Sequence, residues 1–381
     1  MKKAFLKCIT ECHPALSDVN LLKQYLRTNG WSVSRSVDAA DVVIVYTCAS
    51  TQAREEVSLR AIRRFQKRHK VGANLIVSGC LPAINKDRLK RVFDGVVVPA
   101  KSLHEFDRVL EAQHSLREIQ YAGAEGQLRK DHAAEYPLRI EWGCDGNCSY
   151  CAIKFVYGNS KSRSVAEILL EFDRAFQEGY RNFMLVGNDS GSYGKDMGVS
   201  LADLLQALCN RQSECWFSLS HISPHKLKPM LPALSGMIRS GRISRINLPV
   251  QSGSNRIVKL MRRNYTVADF KYCINKLIAY CPGIQLKTDF IVGFPSETEK
   301  DFSATLKLAE WLTGRRVYFN CFPYSERPKT AALKLPGKID QVTRLERLQR
   351  LSRACPMAPD PRFENPELGP AQSLPPEAAA G

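Results

Sequence analysis

The sequence predicts an α/β protein of 381 residues, an open parallel α/β domain over 1–112 followed by a partial (βα)6 barrel over 138–335. Two observations carry this expectation. Apolar runs of strand length alternate with longer segments of helical periodicity, a pattern that lays strands in parallel and covers them with helices. The stretch from His114 to Tyr136 is polar, contains Gly and Ala, and lacks sustained periodicity, so a linker over 113–137 divides the alternation into two sets.

In the first set, strands are expected at Ala4–Ile9, Asp41–Tyr46, Asn74–Val77 and Val96–Val98, with helices at Asp18–Thr28, Gln52–Lys70 and Lys86–Val92. Cys12, Cys48 and Cys80 each follow one of these strands. Any one of them taken alone reads best as an ordinary buried cysteine. Three at equivalent strand ends lie on the one edge where open parallel sheets place ligands, so they are candidates to converge as metal ligands. Cys8, four residues before Cys12, should still lie within the first strand. The helix Gln52–Lys70 places Val57, Ala61 and Phe65 on one side and Arg60, Arg63, Arg64 and Lys67 on another. Such a basic stripe is commonly just a solvated face, yet it is the best nucleic-acid candidate in this domain.

The second set has strand runs at Leu138–Trp142, Asn182–Val186, Trp216–Ser220, Arg245–Val250, Gln285–Val292 and Arg316–Phe322, each followed by a helical pattern. Six units are too few for a closed eight-stranded barrel, and right-handed crossovers curl them into an open one. Directly after the first run comes Cys144-Asp145-Gly146-Asn147-Cys148-Ser149-Tyr150-Cys151. Three thiolates on one short loop suit three irons of a cubane cluster and leave the fourth iron open for chemistry. Structural zinc would want a fourth Cys or His at short spacing, and a disulfide framework does not suit a chain of this size. Function in such barrels gathers at the C-terminal strand ends, here Gly187-Asn188-Asp189, Ser220-His221, Pro249-Val250-Gln251-Ser252 and Gly293-Phe294-Pro295.

The net charge of +17 suits an anionic partner such as nucleic acid, with solubility as the plainer reading. No signal-peptide pattern and no uninterrupted apolar run of membrane-spanning length is present, so the expectation is a cytoplasmic protein without membrane contact whose cysteines stay reduced. Ile339–Arg353 patterns as a last amphipathic helix with Val342, Leu345, Leu348 and Leu351 on one side, within an expected segment 336–355. The proline-rich stretch 356–381 cannot bury a core and is expected to be disordered.

The segment from Cys144 to Ser164 resembles the radical S-adenosylmethionine enzymes, specifically the methylthiotransferases, and the resemblance runs over about residues 4–353. Further similar segments are Ser192-Tyr193-Gly194-Lys195-Asp196, Leu248–Ser254, Asp289–Thr298 and Tyr324–Pro328. The resemblance implies two 4Fe-4S clusters, one on Cys144, Cys148 and Cys151 that binds S-adenosylmethionine and generates a radical, and an auxiliary one on Cys12, Cys48 and Cys80. It implies that Gly187 and Asn188 lie where the cofactor's amino group is contacted, and that Gln251 and Asp289 face the substrate or cofactor cavity. It implies methylthiolation of an unactivated C–H bond on a tRNA adenosine of the N6-threonylcarbamoyl or N6-isopentenyl type, with a reductant such as flavodoxin or ferredoxin. Methylthiolation of a peptide, ribosomal protein or small molecule is the alternative, and a non-catalytic iron-sulfur RNA-binding protein is the alternative from another class. The chain departs from the family pattern at Glu11-Cys12-His13-Pro14-Ala15, at Asn247, Ser296 and Lys329, and in having no strand runs after Arg353 for the family's C-terminal RNA-gripping barrel.

Overall fold

The computed structural model describes residues 2–10, 12–119 and 135–354, so most of the expected linker and all of the proline-rich stretch 356–381 lie outside the described residues. The first part runs β1 (Lys3–Cys8), α1 (His13–Thr28), β2 (Ser32–Ser34), β3 (Val42–Thr47), α2 (Gln52–Arg68), β4 (Asn74–Gly79), α3 (Leu81–Ile84), α4 (Lys86–Lys90), β5 (Val96–Pro99) and α5 (Phe106–Val109). Its five strands form one parallel sheet in the order β2-β1-β3-β4-β5. β3 is central and buried along its whole length, which is why Val-Val-Ile-Val-Tyr reads as a continuous apolar run rather than an alternation.

Two expectations for this part are corrected. α1 begins at His13 rather than Asp18, because Pro14 sits in the first turn, where its fixed φ and missing N–H cost nothing. α2 buries Ser58, Leu59, Ile62 and Phe65 together with Glu55, whereas Val57, expected on the apolar side, is 40% exposed. The strand β2 carried no sequence signal, being a three-residue edge piece of Ser-Val-Ser.

The second part runs β6 (Glu135–Arg139), β7 (Glu141–Trp142), α6 (Ile153–Tyr157), β8 (Lys161–Ser162), α7 (Val165–Gln177), β9 (Asn182–Val186), α8 (Leu201–Arg211), β10 (Trp216–Leu219), α9 (Pro224–Arg239), β11 (Ile243–Asn247), α10 (Asn255–Leu260), α11 (Val267–Tyr280), β12 (Gln285–Val292), α12 (Glu299–Thr313), β13 (Tyr318–Pro323) and α13 (Gln341–Arg353). Six of these strands make one parallel sheet ordered β6-β9-β10-β11-β12-β13. Glu135 of β6 ion-pairs with Arg245 of β11 across two intervening strands, a contact that a curled sheet permits and a flat one does not. The outer face packs against the helices in a core that includes Phe172, Phe183, Phe217, Leu234, Phe270 and Phe290.

The run expected as one strand over Leu138–Trp142 is divided. β6 stays in the main sheet, while β7 pairs antiparallel with β8 and leads into the cysteine loop. α13 buries Leu351 and rests Leu348 against the barrel core, but Val342 is 66% exposed and does not belong to the packed side. Among the described residues no helix is long and apolar enough to cross a membrane.

The two parts are docked by buried polar groups. Asp18 of α1 accepts hydrogen bonds from Tyr46 (2.6 Å) and Tyr157 (3.1 Å) and lies 3.8 Å from the fully buried Arg139 guanidinium. Arg139 also donates to the Pro14 carbonyl at 2.9 Å. On the other side Glu55 of α2 ion-pairs with Arg327, both almost wholly buried, and Gln52 donates its N–H to Ser325.

Candidate active site

Parallel pairing brings the ends of β1, β3 and β4 to one edge of the first sheet, and the cysteines follow. Cys48 and Cys80 come directly after β3 and β4, and Cys12 is the N-cap of α1. Cys8 is the last residue of β1, opposite Tyr46, and its thiol donates to the Thr10 carbonyl at 2.8 Å. Burial first, and then the nearby Cys48, Cys12, Asp18 and Cys8, push the Cys80 thiol far up. Burial and Cys48 raise Cys8 to about 11. Cys80 therefore lies near Cys48 and Cys12, the rest of the expected set, and near Cys8.

The second set lies on the loop between β7 and α6. Gly146 leaves space between two of its thiols: a Cβ there would stand 3.1 Å from Cys144 Sγ and 3.8 Å from Cys148 Sγ. Gly146 also gives its N–H to Cys144 Sγ at 3.2 Å. Ser149 ties the loop to the end of α10, through its N–H to the Met261 carbonyl (3.0 Å) and its hydroxyl to the Leu260 carbonyl (2.8 Å). Burial followed by Asp189 pushes Cys144 up to about 12, and burial followed by Cys148 pushes Cys151 to about 11. Such thiols hold their protons until a metal displaces them. Among the described residues no group of three or more His, Cys, Asp or Glu is arranged to hold a single metal ion. A cubane asks for something else, one thiolate on each of three irons, and three free cysteines on one docked loop, two of them flanking a glycine, fit it.

At the C-terminal end of β9, Gly187 faces Glu141, whose carboxylate oxygen would lie 2.6 Å from any Cβ at that position. Asn188 uses its side-chain oxygen to hold the Gly143 N–H at 3.0 Å, just before Cys144. The acceptor left over in this segment belongs to Asp189. Its Oδ2 takes Lys226 at 2.7 Å and lies 3.9 Å from Cys144 Sγ, while its Oδ1 is buried with no hydrogen-bond partner. The sequence placed Asp189 at a functional strand end beside Gly187 and Asn188, but its orphaned oxygen is visible only in the folded chain. Glu141 accepts from the Asp189 N–H and from Ser160, and burial pushes its carboxyl up to about 8.

Gln251 and Asp289 are adjacent, the Gln251 N–H donating to the Asp289 carbonyl at 2.8 Å, and both are nearly buried. Gln251 has a positive φ of 69°, and the Asp289 carboxylate accepts from Asn320 at 2.9 Å. Arg60, Arg63, Arg64 and Lys67 are all exposed, on the outer face of α2, and belong to neither cysteine set.

The helices that follow the two sets meet across the junction. α3 begins directly after Cys80, α6 begins two residues after Cys151, and the two short helices pack together. Ala152 and Val156 of the second part are buried in the core of the first.

The radical SAM superfamily matches residues 143–309, and a family described as uncharacterized protein family UPF0004 matches residues 8–98. The chain is 32% identical over 338 residues to a tRNA-2-methylthio-N(6)-dimethylallyladenosine synthase of Fervidobacterium nodosum, covering 85% of this chain and 76% of that protein. It is 31% identical to the threonylcarbamoyladenosine tRNA methylthiotransferase MtaB of Thermotoga maritima, covering 87% and 76%. It is 29% identical to the ribosomal protein uS12 methylthiotransferase RimO of Protochlamydia amoebophila, covering 89% and 74%. Among solved structures, the radical S-adenosylmethionine methyltransferase TsrM of Kitasatospora setae superposes with a TM-score of 0.64 over 87% of this chain and 77% of that one, at 12% identity, a likeness of fold.

Proposed function

Because the chain belongs to the radical S-adenosylmethionine methylthiotransferases, which use S-adenosylmethionine and two 4Fe-4S clusters, we propose that its substrate is a transfer RNA, methylthiolated at an unactivated C–H bond of an adenosine. The observation that supports this reading is the packing of α3, which follows Cys80, on α6, which follows Cys151. Sulfur insertion needs both sites next to one substrate atom.

In this reading Cys144, Cys148 and Cys151 hold the cluster of the barrel, and Cys12, Cys48 and Cys80 hold the auxiliary one. The chemistry that the first supplies when bound is one-electron cleavage of S-adenosylmethionine to a radical that takes hydrogen from an inert C–H bond. The chain's own residues supply position and exclusion of water. The orphaned Asp189 Oδ1 accepts the cofactor's amino group, a charge-assisted bond that satisfies a buried acceptor. Asn188 and Glu141 keep that segment in register with the cysteine loop, and Gln251 and Asp289 face the cavity. Exposed cations of α2 draw in the RNA backbone, and electrons come from a reductant such as a flavodoxin or ferredoxin.

Mass spectrometry of total tRNA nucleosides from cells with and without the protein tests the substrate. The expected result is a methylthioadenosine derivative that disappears with the protein. Unchanged tRNA nucleosides, with a methylthio group lost from a ribosomal protein instead, would move the substrate to protein.

A further inference from the structure

One half-buried cation faces the barrel cysteine loop without a role in the reaction as described. Arg263 follows α10 in Met261-Arg262-Arg263-Asn264-Tyr265, where Arg262 turns the chain at φ 57°. All three of its guanidinium nitrogens are engaged. Nη1 donates to Cys148 Sγ at 3.2 Å, Nη2 to the Pro249 carbonyl at 3.1 Å and Nε to the Tyr265 hydroxyl at 3.1 Å. Tyr265 in turn donates toward the Pro249 and Val250 carbonyls at 3.2 and 2.9 Å. The same turn accepts Ser149, the neighbour of Cys148, at Met261 and Leu260. The fork is thus aimed at one sulfur by contacts on every side, an arrangement that a lysine could not reproduce. As an arginine, Arg263 carries its charge at any working pH.

We propose that Arg263 is a positioning residue that tunes the barrel cluster, its N–H···S bond and fixed charge at Cys148 favouring the reduced state. The inference rests on Cys148 being a ligand of that cluster. A reduced cluster carries one more negative charge, part of it on the thiolate sulfurs, so a partly desolvated cation against one of them raises the reduction potential. Cys144 receives only a neutral backbone N–H and faces the Asp189 carboxylate, so the effect is directed to one corner of the site.

The test is an EPR-monitored redox titration of the iron-loaded full chain, following the signal that is lost in the Cys144→Ala, Cys148→Ala, Cys151→Ala variant. Arg263→Met should lower the reduced-to-oxidised ratio at a given poise about ten-fold, 59 mV for a one-electron couple. Arg263→Lys, which keeps the charge and loses the fork, should fall between it and the parent, with iron content unchanged in both. A titration in Arg263→Met that overlays the parent at full iron content overturns the proposal. If Arg263→Met loses the iron, Arg263→Lys decides: a midpoint at the parent value also overturns it. Retention of all iron in the triple cysteine variant would instead remove the reading on which the inference rests.

Discussion

At the residue scale the site is governed by burial of groups that would otherwise be charged. Thiols held up at about 11 and 12 keep Cys151 and Cys144 protonated until a metal displaces the protons, so loading the barrel cluster must release them. Anaerobic reconstitution should give about eight irons per chain, falling to about four when Cys144, Cys148 and Cys151 are changed together to Ala, and separately to about four for Cys12, Cys48 and Cys80. Metal analysis decides it, and Cys8→Ala in parallel shows whether the fourth thiol at that edge bears on the count. Glu141 offers a pH test. Its folded carboxyl is raised to about 8 against an ordinary value of 4.5, so the folded state keeps a proton that the unfolded chain gives up. Stability should therefore fall as pH rises from 4.5 to 8, the sign that follows from the folded state binding the extra proton. Glu141→Gln keeps an acceptor for the Asp189 N–H and should flatten that dependence in urea melts at pH 5, 6.5 and 8. A slope unchanged by the substitution would place the proton on another group.

At the scale of elements, local chemistry sets where helices begin. α7, α8, α11 and α12 each open on a reciprocal capping box, Ser164 with Glu167, Ser200 with Asp203, Thr266 with Asp269 and Thr298 with Asp301. Each box satisfies two backbone donors that a helix start leaves unpaired. Asp301 does more than cap, since it also binds Arg256 and Ser254 and so joins α12 to α10. Thr298→Ala should cost about 1 kcal/mol, read as a shift in denaturation midpoint without a change in cooperativity. α2 presents the opposite case, an element whose outer face leaves Arg60, Arg63, Arg64 and Lys67 exposed to solvent. With these four changed to Ala, tRNA affinity should weaken and its salt dependence flatten by about 0.7 in logarithmic slope for each phosphate that is no longer neutralised on single-stranded segments. The modified nucleotide should stay the same, because phosphate contacts position and do not specify. An unaltered slope would remove α2 from the RNA surface.

At the scale of the whole molecule, the junction between the two parts packs α3, after Cys80, on α6, after Cys151, and two buried ionic clusters hold it. Arg327→Met leaves Glu55 buried with only the partly exposed Arg88 as cation, and should cost about 3–5 kcal/mol. If the junction is the part weakened, urea unfolding followed at Trp31 in the first part and Trp142 in the second should separate into two transitions; a single unchanged transition would refute that role. The sequence by itself determined the fold class and the reaction family. Period-two and period-3.6 patterns are local, and Cys-x3-Cys-x2-Cys carries its chemistry within eight residues. It mislaid the start of α1 and the outer position of Val57, since a proline and a lone valine suit either environment until packing decides. Only the tertiary structure showed Asp189 with an orphaned oxygen, Arg263 against Cys148 and Asp18 beside Arg139. Arg263 is 115 positions from the cysteine it touches, and no periodicity reaches that far. Such partners are chosen by how strands stack and turns dock, and a buried charge declares its role only once the group it must satisfy is beside it.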